Sequence, residues 1–172
     1  LKGLKSTGTI SCAKHFPGHG DTDTDSHIGL PVVRKTREEM EKTELAPFRS
    51  AIAEGIDAIM SAHVVFPALD PERIPSTLSR PVITGMLRQE MKFSGVIISD
   101  CMEMDAVRAL YGTPVSVLKG MQAGIDIALI CHTPERQLRS AELLESSYRD
   151  GSLSLSEARE SMDRILRMKA DL

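Results

Sequence analysis

Tryptophan is missing from this chain, and aromatic residues of any kind make up only 3% of it. A binding site built on stacked rings therefore has little to draw on, and recognition of a polar ligand falls to hydrogen-bonding side chains or to rings supplied by another segment. The three cysteines, Cys12, Cys101 and Cys131, include no Cys-x-x-Cys pair. This argues against a disulfide scaffold and against a sequence-local structural zinc site. All three are expected as buried thiols in or beside strands. Net charge is only −3, which gives no electrostatic basis for capturing nucleic acid or an anionic membrane surface. No apolar run reaches the length of a membrane span, and no secretory leader is evident. The chain opens on Leu1 in mid-pattern, so the N-terminus is read as internal to a larger protein and localisation is left unassigned.

What is present is an alternation. Four short apolar runs read as strands: 9–16 (TISCAKHF), 57–64 (DAIMSAHV), 95–100 (GVIISD) and 126–131 (DIALIC). Their unbroken apolar character suits strands buried on both faces of a parallel sheet. Helical spacing lies between and after them, at 37–54 with a break near Pro47, and at 81–92 behind Ser79 as N-cap. Further helices are expected at 113–124, 134–149 and 154–169, the last opened by the capping-box spacing of Ser154 and Glu157. Gly55 and Gly124 serve as helix stops. Such alternation is the grammar of parallel α/β folds. Neither G-x-G-x-x-G nor G-x-x-x-x-G-K-[ST] occurs, so a nucleotide-binding doubly wound sheet is disfavoured. Lys14, His15, His63, Asp100 and His132 fall at or just past the C-terminal ends of the four runs, where (β/α)₈ barrels carry their chemistry. The expected fold is α/β, with about four β/α units forming the C-terminal half of a TIM (β/α)₈ barrel over residues 1–172.

Two constellations carry chemistry. Residues 14–27 (KHFPGHGDTDTDSH) hold three of the five histidines and three aspartates. Calcium is disfavoured, although Asp21, Asp23 and Asp25 alternate like the start of an EF-hand loop. Ser26 stands where that loop needs glycine, and Val32 where it needs glutamate. Zinc on His15 and His19 is disfavoured because Pro17-Gly18 prevents the helix that would align them. A third reading is acid/base work. Asp25 and His27 share one side of an extended loop, so the carboxylate orients the imidazole and favours its protonated form. Against it stands a solvated loop whose aspartates cap turns. The second constellation is Asp100, which ends the third run, either as a carboxylate aimed into the barrel mouth or as a cap of the helix that follows. Glu103 and Asp105 are read as first-turn helix residues.

Taken in order, the stretches KHFPGHGDTDTDSHIGLP (14–31), ELAPFRSAIAEGIDAIMSAHV (44–64), GVIISDCMEMDAV (95–107) and VLKGMQAGIDIALI (117–130) resemble glycoside hydrolase family three in its β-N-acetylglucosaminidase (β-N-acetylhexosaminidase) branch. The β-glucosidase members lack the Asp-x-His loop. The resemblance implies a retaining exo-glycosidase acting on β-linked N-acetylglucosamine in cell-wall or chitin-derived oligosaccharides, with no cofactor and no metal. Asp100 would be the nucleophile that forms a covalent glycosyl intermediate, and His27 the acid/base, paired with Asp25. Lys14 and His15 would hydrogen-bond the sugar, His63 would line the same pocket, and His19 would shape the loop. Some members resemble phosphorylases, and a non-catalytic half-barrel acting by association is the other alternative. The partners expected are an N-acetylglucosamine-containing glycan and the missing N-terminal half-barrel or a second copy, with no nucleic acid and no membrane span.

Overall fold

The computed structural model describes residues 1–20 and 30–170. A short helix, α1 (Lys2–Lys5), leads into strand β1 (Cys12–Phe16). Helices α2 (Arg37–Lys42) and α3 (Ala46–Ala53) follow, then β2 (Ala58–Ser61). A 3₁₀ turn (Ser76–Leu78) and a wide, π-wound helix (Pro81–Glu90) precede β3 (Val96–Cys101). The chain continues through α4 (Asp105–Tyr111), α5 (Thr113–Ala123), β4 (Ile127–Leu129), α6 (Pro134–Arg149) and α7 (Leu155–Ala170). Each expected strand is present; β1, β2 and β4 are shorter than the apolar runs, and β3 starts one residue later and runs on to Cys101. The two helices expected over 37–54 are present, with Pro47 in the first turn of the second. Among the described residues no helix is long and apolar enough to cross a membrane.

The four strands form one parallel sheet in the order β1-β2-β3-β4. Sequential parallel strands joined by helical crossovers are the β/α units expected from the alternation. Ile59 and Ile97 face the helices and pack in the main core with Phe16, Phe48, Ile83 and Leu87. On the opposite face, in register with one another, lie Met60, Ile98 and Ile127, which are only half-buried. At the N-terminal end of the sheet two aspartates fasten the strands. Asp57 accepts hydrogen bonds from the Ser11 N–H (2.8 Å) and hydroxyl (2.6 Å). The Asp126 carboxylate, with no exposed side-chain surface, accepts from the Ile97 N–H and pairs with Arg88 and Arg164.

The cysteines depart from expectation. Cys12 and Cys131 are exposed and Cys101 is half-buried. Cys12 lies on the sheet face turned away from the helices, and Cys131 lies beyond the end of β4, so neither reaches the core that an apolar run suggests.

Candidate active site at the C-terminal rim

Two irregularities shape the rim. In β1, Lys14 stands opposite Met60 and Phe16 opposite Ser61, so His15 is an inserted residue. In β3, Ile98 stands opposite Ile127 and Cys101 opposite Leu129, three steps against two. Such bulges re-aim side chains at strand ends. The Ser99 hydroxyl accepts the Leu129 N–H at 2.9 Å and closes the gap in the ladder. Across the end of β2, His15 Nε2 then lies 3.4 Å from Asp100 Oδ2, with the Asp100 side chain about a quarter exposed (25%). The other oxygen, Oδ1, accepts the Cys101 N–H at 2.7 Å. The Asp100 carboxylate is thus held by the backbone on one oxygen and faced by an imidazole on the other.

Burial holds the His15 imidazole below its usual range, outweighing the attraction of Asp100, and Lys14 and His19 push the same way as burial. A neutral ring offers one N–H and one lone pair, so it serves as a hydrogen-bonding group rather than a fixed cation. His63 is fully buried. Its Nε2 lies 3.0 Å from the Cys101 carbonyl, which can only accept, so Nε2 carries the hydrogen. Nδ1 lies 3.0 Å from the Thr77 hydroxyl. Burial lowers the His63 pKa and keeps the ring neutral. The Thr77 hydroxyl also lies 2.8 Å from Ser61 Oγ and 3.0 Å from the Ala62 carbonyl. Ser61, Thr77 and His63 thus form a buried polar chain that pins the backbone one residue beyond Asp100.

The structure brings together Asp100, His15, His63 and the exposed Lys14. Asp25 and His27 lie outside the described residues. Beside β1 is an open cavity of about 400 Å³ lined by Lys14, His15, His19, Glu44 and Phe48 among others. A somewhat larger one, about 480 Å³, surrounds Arg88, Asp126 and Arg164 at the other end of the strands. Its charges are paired with one another, whereas the rim presents a partly open carboxylate, so the rim is the candidate site.

Thr77 went unnoticed in the sequence, since nothing in PSTLS separates it from an ordinary turn. Glu103 corrects the sequence reading. Helix α4 starts at Asp105, and Glu103 turns away to hold the loop after β4. Its carboxylate accepts the His132 N–H (2.6 Å) and pairs with Arg136 (3.0 Å). With the Thr133 hydrogen bond as the largest influence, these contacts hold its pKa down at about 2. The neighbouring Cys101 thiol, with burial and the charges of Glu103 and Asp100, pushes the Cys131 thiol above its ordinary range.

Residues 1–168 match the Glycosyl hydrolase family 3 N terminal domain. A β-hexosaminidase of Thiobacillus denitrificans is 38% identical over 135 residues, which is 78% of this chain and 37% of that protein. The chain thus spans little more than a third of the length of that relative. Among solved structures, a glycoside hydrolase family 3 β-N-acetylglucosaminidase from a Paenibacillus species superposes with a TM-score of 0.97 at 43% identity. That match covers 99% of this chain and 32% of the other. A β-glucoside phosphorylase superposes at 0.90 with 26% identity, covering 99% of this chain and 32% of the other.

Proposed function

The chain belongs to glycosyl hydrolase family 3, and from that premise we propose that it carries the nucleophile and acid/base of a retaining exo-β-N-acetylglucosaminidase. The observation that carries the reading is Asp100. Its carboxylate stands at the C-terminal rim of a parallel sheet, anchored by the Cys101 N–H and faced by His15.

The chemistry follows from that placement. An Asp100 oxygen attacks the anomeric carbon as the glycosidic bond breaks, giving a glycosyl-aspartate with inverted configuration. His27 donates its proton to the departing oxygen. Water, losing a proton to His27, then displaces Asp100 and restores the β configuration. Asp25 raises the basicity of His27 by stabilising its protonated form. A histidine carries no negative charge in either protonation state, so it approaches an anionic nucleophile with less repulsion than a second carboxylate would. Lys14 and the neutral His15 hydrogen-bond sugar hydroxyls, while His63 positions the backbone carbonyl of Cys101 beside the pocket. Terminal N-acetylglucosamine of cell-wall or chitin-derived oligosaccharides is the substrate class, and no cofactor is needed.

The likeness to a β-glucoside phosphorylase favours one variant of this reading, in which inorganic phosphate takes the place of water in the second step. The remaining barrel strands come from chain outside these residues or from a second copy. The test uses the whole protein that carries this chain. Asp100→Gly is expected to abolish turnover. His27→Ala is expected to spare aryl glycosides with activated leaving groups far more than natural substrates, because only the latter need the proton. Equal losses on both would remove His27 from the acid role. Release of a sugar 1-phosphate in phosphate buffer would select the phosphorylase variant.

A further inference from the structure

Cys101, Glu103 and His132 come from two loops, one after β3 and one after β4, and the absence of a Cys-x-x-Cys pair hides them in the sequence. One donor atom from each, the Cys101 Sγ, a Glu103 carboxylate oxygen and a His132 ring nitrogen, lie within 4.8 Å of one another. The Cys131 thiol neighbours that of Cys101 and stands at the edge of the same group. Zinc bonds sulfur at about 2.3 Å and nitrogen or oxygen at about 2.0–2.2 Å. Donors already this close need a small contraction to surround one ion, and the exposed Cys131 and His132 are free to make it. Glu103 is fixed by Arg136 and by the His132 N–H. With the Thr133 contact, three of the four lone-pair sites of the carboxylate are used, so one remains for a metal. Thiol and imidazole donors select a thiophilic ion over magnesium or calcium.

We infer that Cys101, Glu103 and His132, with Cys131 as the fourth donor, form a site for a thiophilic divalent cation such as zinc. Each coordinating thiol gives its proton to solvent on binding. Asp100 is near enough for its charge to act on the Cys131 thiol, so a bound dication lies within electrostatic reach of that carboxylate and weakens its attack on a sugar. This consequence, unlike the binding itself, rests on Asp100 being the nucleophile.

The test is titration of the reduced, chelator-treated full chain with cobalt(II), followed by competition with zinc. One equivalent is expected to raise a thiolate-to-cobalt absorption band that zinc abolishes. Cys131→Ser and His132→Ala, both at exposed positions, are expected to weaken binding by roughly 10–100-fold, and Cys101→Ser to remove the band. Absence of the band, or a band unchanged in all three variants, would overturn the site. In the active whole protein, zinc is expected to suppress turnover reversibly and to do so less in Cys131→Ser. Binding without suppression would overturn the coupling to Asp100 and leave the site standing.

Discussion

His63 shows how one neutral ring ties stability to pH. Burial depresses its pKa from the ordinary 6.5, so below that value the unfolded chain takes up a proton the folded one resists. The unfolded state then binds more protons, and stability falls as pH falls. The stabilisation is complete above about pH 6.5 and is lost progressively beneath it until the folded-state pKa is reached. His15 shifts in the same direction. Thermal midpoints measured from pH 8 down to pH 5 should therefore decline, and His63→Gln should flatten part of that decline. An unchanged slope in the variant would mean that His63 is not the group. The candidacy of His15, Lys14 and Asp100 was legible in the sequence because each follows an apolar run. The contact between His15 and Asp100 was not, since it depends on bulges that shift the register in β1 and β3. The role of Glu103 was misread because a carboxylate shortly before a helix looks the same whether it faces that helix or the next loop.

At the scale of elements, Asp126 joins β3, β4, the wide helix and α7 through one buried carboxylate. Removing it leaves Arg88 without its carboxylate and Arg164 with only the longer pair to Glu160 (3.9 Å), both cations largely buried. Asp126→Ala should cost about 3–5 kcal/mol, measured by urea denaturation, and a loss well under that range would show that the arginines find other partners. Gly124 closes α5 at φ 109°, where an added Cβ would collide with the Thr84 hydroxyl. Gly124→Ala should lose at least about 1 kcal/mol by the same measurement. Helix boundaries were readable where Gly and Pro mark them, as in α5 and α6. The winding of Pro81–Glu90 was not. Val82, Ile83, Met86 and Leu87 keep ordinary helical spacing, yet the Met91 N–H bonds the Met86 carbonyl, five residues back. The sequence pattern records which face is apolar and carries no signal for the extra residue per turn.

For the whole molecule, β1 and β4 each pair on one side only among the described residues, and Met60, Ile98 and Ile127 lie half-buried on the sheet face opposite the helices. Unpaired strand edges beside apolar surface favour association. The isolated 172-residue chain should form dimers or larger species by light scattering, and should turn over an aryl N-acetyl-β-glucosaminide weakly or not at all. A stable, active monomer would contradict the half-barrel reading. The alternation of strand and helix made the parallel sheet legible, because each apolar run is too short to be anything but a strand between amphipathic helices. The most direct test of the account is covalent. The active whole protein is to be treated with a mechanism-based fluorinated N-acetylglucosaminide and digested with trypsin. The account predicts one sugar on the peptide 93–108, attached at Asp100. A sugar attached to another residue, or inactivation with no adduct on that peptide, would contradict it.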